Sequence, residues 1–270
     1  MSKKIGLCLT GGGARGAYQI GAIKALEERG ILDKISAYSG TSIGSANVAV
    51  IATKGVDAAK EVWMTMPEEN LPRNKKDLDK KSDKLFDFDR GIYTMDVFKS
   101  IIEKSVDLDV LKKKEVYVTL SEGGQPDKGF IDLLRCTYRH YVKHDTKVVY
   151  LPLHELESDS VIDAIVASSS IPLFFAPVKM QDKKFYDGGV FDNVPIKPLV
   201  KSGCDEIIII HLHHHLLYNP KKVASGVTYH EIKHKGLLGH ILKFSKKQTQ
   251  RLYQAGYDDT HAYFDYLDKA

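Results

Sequence analysis

The feature that most constrains the fold is a glycine-rich run, Gly11-Gly12-Gly13-Ala14-Arg15-Gly16. It sits between a short apolar stretch at residues 5–10 and a stretch at 17–29 that places Ile20, Ile23 and Leu26 at helical spacing. This order reads as strand, tight turn, helix. It recurs, because residues 34–39 suit a second strand and residues 45–52 are apolar, alanine-rich and free of proline, as a buried helix would be. Further strands are predicted at 116–120, 148–151 and 206–212, the last with consecutive isoleucines at 207–210 that suit a strand covered on both faces. Helices are predicted at 96–104, 159–168 and 237–253. Such alternation implies an α/β fold, layered α/β/α, with a mainly parallel central sheet.

A chain of 270 residues is expected to form one domain, with a helical C-terminal part at 220–270. Residues 67–90, rich in Lys and Asp, are expected to form an exposed loop or cap. The formal charge of +4 suits contact with an anionic surface and does not call for nucleic acid as a partner. Cys8, Cys136 and Cys204 are odd in number and widely spaced, which predicts reduced thiols and a cytoplasmic setting. The basic N-terminus leads into too short an apolar run for a secretory signal. No apolar run approaches the ~18 residues of a membrane span, so any membrane contact would be peripheral.

Three motifs carry chemistry. The glycine run can converge backbone N–H groups on an anion at the start of a helix. It also satisfies GxGxxG, but the end of the second strand reads Tyr38-Ser39-Gly40 where a dinucleotide site wants an acid. A nucleotide phosphate loop would need Lys and Ser or Thr after Gly16, where Ala17-Tyr18 follows. The second motif, Gly40-Thr41-Ser42-Ile43-Gly44, is a GxSxG match in the strand-to-helix context that a nucleophile elbow requires. Ser42 read instead as a simple helix N-cap would leave Gly40 and Gly44 unexplained. In the third, Asp187-Gly188-Gly189, two glycines let the chain turn tightly beside an accessible carboxylate. An Asp with an ordinary pKa near ~3.9 would need desolvation to act as a base toward Ser42.

Together and in this order, the three motifs resemble the signatures of the patatin-like phospholipases, over residues 5–199. The stretches at 167–172, 175–178 and 192–195 are also similar to what that family carries. The resemblance implies a Ser-Asp dyad with Ser42 as nucleophile and Asp187 as base, and an oxyanion hole built by Gly11, Gly12, Gly13 and Arg15. It implies hydrolysis of fatty acyl esters, in phospholipids or other acyl-ester lipids, through an acyl-enzyme and without a metal or other cofactor.

Rival readings remain open from the residues alone. A Ser-His-Asp hydrolase would draw its base from His211, His213, His214, His215, His230, His234, His240 or His261. His230-Glu231-Ile232-Lys233-His234 satisfies HExxH, which reads as a Lys- and His-rich solvated helix or as a zinc site with His240 as a third ligand, although the longer zinc-protease motif would want glycine where Leu237 stands. A lipid-binding member without turnover and an NAD-binding oxidoreductase complete the set. Residues 237–251 alternate Leu237, Leu238, Ile241, Leu242 and Phe244 with Lys243, Lys246, Lys247 and Arg251, a helical pattern that fits an ordinary helix packed on the sheet with a basic outer face and equally a basic face presented to anionic lipid.

Overall fold

The computed structural model describes residues 3–66, 94–123, 148–172, 174–180, 182–213 and 218–270. Its strands are β1 (Ile5–Leu9), β2 (Ile35–Thr41), β3 (Glu115–Glu122), β4 (Val148–Pro152), β5 (Val178–Met180), β6 (Lys183–Asp187), β7 (Glu206–Ile210) and β8 (Thr228–Ile232). The α-helices are α1 (Ala17–Glu28), α2 (Ile43–Thr65), α3 (Asp96–Ser105), α4 (Leu108–Leu111), α5 (Ser158–Ser168), α6 (Ile196–Lys201) and α7 (Lys246–Leu267). The strands form one sheet in the order β5-β6-β3-β2-β1-β7-β8, with β4 also paired to β3. From β3 through β2, β1 and β7 to β8 every pairing is parallel. β4 and β6 run antiparallel to β3, and β5 antiparallel to β6. The expected layered α/β fold is therefore present, its parallel sheet extended at one edge by antiparallel strands.

The isoleucine run shows why both faces are covered. Side chains alternate along a strand. Ile208 and Ile210 accordingly join a large core with Leu7 and Leu9 of β1, Ile20 and Ile23 of α1, and Val48 of α2. Ile207 and Ile209 join Cys8 and the Ile196 and Leu199 side chains of α6 on the opposite face. All four isoleucines are fully buried, each contributing about 2 kcal/mol of transfer free energy.

α2 is two helical pieces joined at Gly55, whose φ of 81° is open to glycine at little cost. Trp63 Nε1 donates to Asn47 Oδ1 at 2.9 Å, although the two are 16 residues apart. In a straight helix they would be separated by about 24 Å, so the bend at Gly55 folds the second piece back over the first.

Three expectations need correction. The predicted helix at 237–253 begins only at Lys246, where the Ser245 hydroxyl caps it by accepting Gln248 N–H at 3.3 Å. Gly239, at φ 90°, breaks the residues before it. The C-terminal part is not purely helical, because β8 lies within it. The HExxH stretch falls on and just after β8, so its residues are extended rather than gathered on one helical face. His230 pairs with Glu206 at 3.1 Å, His234 with Asp259 at 2.7 Å, and Glu231 with His211 at 2.9 Å. Three separate partners leave no shared ligand set, and the zinc reading falls on that geometry. The 67–90 segment, Cys136, His214 and His215 lie outside the described residues.

Candidate active site

Strand register brings the second and third motifs together. Thr41, the last residue of β2, pairs with Thr119 of β3, while Asp187, the last of β6, pairs with Leu120. β4 spans both stretches of β3 and takes its other edge, so β2 and β6 meet end to end along one edge. Ser42 and Asp187 thus arrive at the same point from opposite directions. Both line a pocket of about 360 Å³ with Gly11, Gly12, Gly13 and Asn193.

The serine sits in a strained turn. Its backbone has φ 55° and ψ −128°, a conformation that side-chain-bearing residues rarely adopt. Its hydroxyl makes no helix-capping hydrogen bond, which removes the N-cap explanation. A Cβ on Gly40 would lie 2.4 Å from the Gly44 carbonyl oxygen, and one on Gly44 would lie 2.3 Å from that of Leu9. The elbow can pass between β1 and α2 only with glycine at both positions. α2 starts immediately after Ser42, so its positive dipole end faces the hydroxyl.

A buried serine holds this turn in place. Ser168, at the end of α5, accepts the Ser42 N–H at 2.9 Å and donates to the Thr119 carbonyl at 2.7 Å. Its only proton being spent on Thr119, Ser168 must accept the hydrogen bond from Ser45 Oγ at 2.7 Å. Ser168 is fully buried, and it ties the elbow to β3 at the residue facing the strand ends. No motif had singled it out for this role.

Asp187 is equally enclosed, at 5% exposure. Oδ1 accepts the Gly189 N–H at 2.7 Å, the use to which the turn after the acid is put. Gly188 carries the chain past β3, and its carbonyl accepts the Ser121 hydroxyl at 3.3 Å. Oδ2 is buried without a hydrogen bond of good geometry. Burial pushes the carboxyl up to about 6 from an ordinary 3.8, while the nearby Ser42 hydroxyl and the Gly189 N–H act in the opposite sense. The desolvation that an aspartate base requires is therefore present.

The glycine loop divides its roles. Gly11 N–H is already committed to Asn193 Oδ1 at 3.0 Å, and Ala14 N–H to the Ile241 carbonyl at 2.7 Å. Gly12 and Gly13 N–H have no acceptor among the described residues. Arg15 does not reach toward Ser42. Nε donates to the Gly239 carbonyl at 2.8 Å and Nη1 to that of Leu212 at 3.2 Å, bracing two segments beside the pocket. The expected oxyanion donors Gly11 and Arg15 are thus otherwise engaged. A buried network supports the loop from behind: Gln19 donates to the Thr10 carbonyl at 2.8 Å, and Asn47 to Gln19 Oε1 at 2.8 Å and to the Gly16 carbonyl at 3.2 Å.

Of the candidate histidines, only His213 lines the pocket among the described residues. Its Nδ1 faces Arg15 Nη1 at 3.5 Å. Burial lowers the pKa of His211, with Glu231 opposing, and the ring is spent on Glu231 at 2.9 Å. His230, His234 and His261 face Glu206, Asp259 and Glu28 around α7 and β8 instead.

Comparison with known proteins follows the same line. The family model described as patatin-like phospholipase matches residues 7–200. The lysophospholipase nte1 of Aspergillus terreus is 56% identical over 50 residues, covering 18% of this chain and 3% of its own length. The probable lipid hydrolase 463L of Invertebrate iridescent virus 6 is 25% identical over 200 residues, 72% of this chain and 63% of that protein. The chain therefore spans less than two thirds of these curated relatives. Among solved structures, VipD from Legionella pneumophila superposes with a TM-score of 0.54 at 14% identity, covering 98% of this chain and 67% of that one, a likeness of fold.

Proposed function

The chain belongs to the patatin-like phospholipase family, and on that premise we propose that it is a lipid acyl hydrolase working through Ser42 and Asp187. The observation that carries the reading is the end-to-end meeting of β2 and β6, which sets a strained serine beside a buried carboxylate with one unsatisfied oxygen. In this scheme Ser42 Oγ attacks the ester carbonyl carbon and its proton passes to Asp187 Oδ2. The carbonyl oxygen becomes an oxyanion held by Gly12 and Gly13 N–H, with the N-terminus of α2 adding its dipole. Collapse breaks the ester bond. The departing alcohol takes the proton from Asp187 and leaves an acyl group on Ser42. Water then attacks the acyl-enzyme, Asp187 accepts its proton, and the fatty acid departs as Ser42 is reprotonated.

With its pKa pushed up to about 6, Asp187 is a stronger base than an ordinary carboxylate and is still about 90% ionised at pH 7. No cofactor enters this chemistry. The pocket walls Ile171, Pro172, Val190 and Ile241 are apolar and suit an acyl chain. No described helix is long and apolar enough to cross a membrane, so the encounter with a phospholipid is proposed to be peripheral. The test is fatty acid release from phospholipid vesicles and from short-chain p-nitrophenyl esters. Hydrolysis by the wild type that is lost in Ser42→Ala supports the proposal; hydrolysis that survives in Ser42→Ala overturns it.

A further inference from the structure

Charge is unevenly distributed along this chain. Residues 232–257 hold Lys233, Lys235, Lys243, Lys246, Lys247 and Arg251 and no acidic residue, while the whole chain carries only +4. The remainder is therefore net negative. The part of this stretch before Lys246 does not form the amphipathic helix that its periodicity predicts. It loops across the pocket rim: Ile241 lines the pocket, its carbonyl accepts Ala14 N–H at 2.7 Å, and the Gly239 carbonyl accepts Arg15 Nε at 2.8 Å. The loop is bound to the first turns of α7, with Arg251 Nη1 donating to the Leu237 carbonyl at 3.2 Å and Gln248 Nε2 to that of Lys243 at 3.1 Å. The rim is thus a built surface rather than a loose tail.

Two properties of this rim point to one kind of partner. Leu237 is 83% exposed, although Leu238 beside it is buried. Lys235, Lys243 and Lys247 are exposed, and none lies within ion-pair distance of a carboxylate among the described residues. An exposed leucine set among unpaired lysines matches a phospholipid interface, where the apolar side chain enters the acyl boundary and the cations meet anionic headgroups. We infer that residues 235–247 form the docking surface by which this chain sits on an anionic bilayer, with the pocket mouth turned toward the lipid. The inference rests on the acyl-hydrolase reading only for what the docked pocket then does.

The test uses the full chain carrying Ser42→Ala, so that vesicles are not consumed, in sedimentation with phosphatidylcholine vesicles with and without phosphatidylglycerol. Binding is expected on the anionic vesicles. It should weaken by about 100-fold in Lys235→Gln/Lys243→Gln/Lys247→Gln, at about fivefold per charge, and by about tenfold in Leu237→Ser. Arginine at the three lysine positions should restore it. With Ser42 intact, the same substitutions should leave hydrolysis of a soluble short-chain ester unchanged. Equal binding to neutral and anionic vesicles, or anionic binding indifferent to the substitutions, would overturn the inference. So would binding to a duplex oligonucleotide without binding to vesicles. A chain that docks as expected but hydrolyses neither substrate sinks the hydrolase reading and leaves the docking surface standing.

Discussion

Burial of Asp187 has an energetic consequence separable from catalysis. Its carboxyl is pushed up to about 6 from 3.8, so the folded chain holds the proton more tightly than the unfolded chain does. The favourable contribution to stability is fully present below pH 3.8 and is lost as the pH rises through 6. At pH 8 the ionised carboxylate should cost the fold about 3 kcal/mol, from the factor of ~1.4 kcal/mol per tenfold change in proton affinity. Asp187→Asn removes that charge and keeps an oxygen for Gly189 N–H. The variant is therefore expected to be more stable than wild type by about 3 kcal/mol at pH 8, shrinking to about 1 kcal/mol at pH 4.5. Urea unfolding of both proteins at the two pH values measures this directly. A variant no more stable at pH 8, or a difference that does not shrink in acid, would refute the argument that desolvation dominates this carboxylate.

Three further outcomes follow from the same geometry. kcat/KM for a soluble short-chain ester should fall about tenfold per pH unit below about 6, because the base must be ionised; a pH–rate profile flat from 5 to 8 contradicts this. Ser168→Ala leaves the Ser42 N–H without its acceptor, and should cost about 2 kcal/mol in denaturant unfolding and about 10- to 100-fold in kcat with KM little changed. Gly44→Ala would drive a Cβ to 2.3 Å from the Leu9 carbonyl oxygen, and should destabilise by about 2 kcal/mol or more; an unaltered urea midpoint would show that the elbow has room.

The layered fold was legible because its signals are local. A glycine run after β1, four consecutive isoleucines in β7 and an alanine-rich α2 each report their own environment. What stayed hidden depends on distant partners. β5, β6 and β8 are short strands without alternation strong enough to stand out, and β8 carried an HExxH match that sequence spacing alone cannot place on a strand. The apolar and basic alternation at 237–251 obeys a helical period, yet Gly239 and the pull of Arg15 on its carbonyl hold its first part as a loop. At the site, Ser42 and Asp187 stand out by the glycines beside them. Ser168 and Asn193 lie in stretches that resemble the family, but their roles were not legible, because a buried serine and a turn asparagine look the same in sequence whether or not they hold a catalytic loop. That Gly11 N–H and Arg15 are already engaged is likewise a fact of three-dimensional pairing.

The claim that Ser42 is activated by Asp187 rather than by a histidine is tested most directly by covalent labelling. Wild type, Ser42→Ala, Asp187→Asn and His213→Gln would be treated with a lipid-like fluorophosphonate, and adduct formation followed by intact mass with peptide mapping. The account predicts a single adduct on Ser42 in wild type, none in Ser42→Ala, labelling at least about 10²-fold slower in Asp187→Asn, and a near-normal rate in His213→Gln. An adduct on another residue, or labelling that survives in Asp187→Asn and collapses in His213→Gln, would contradict it.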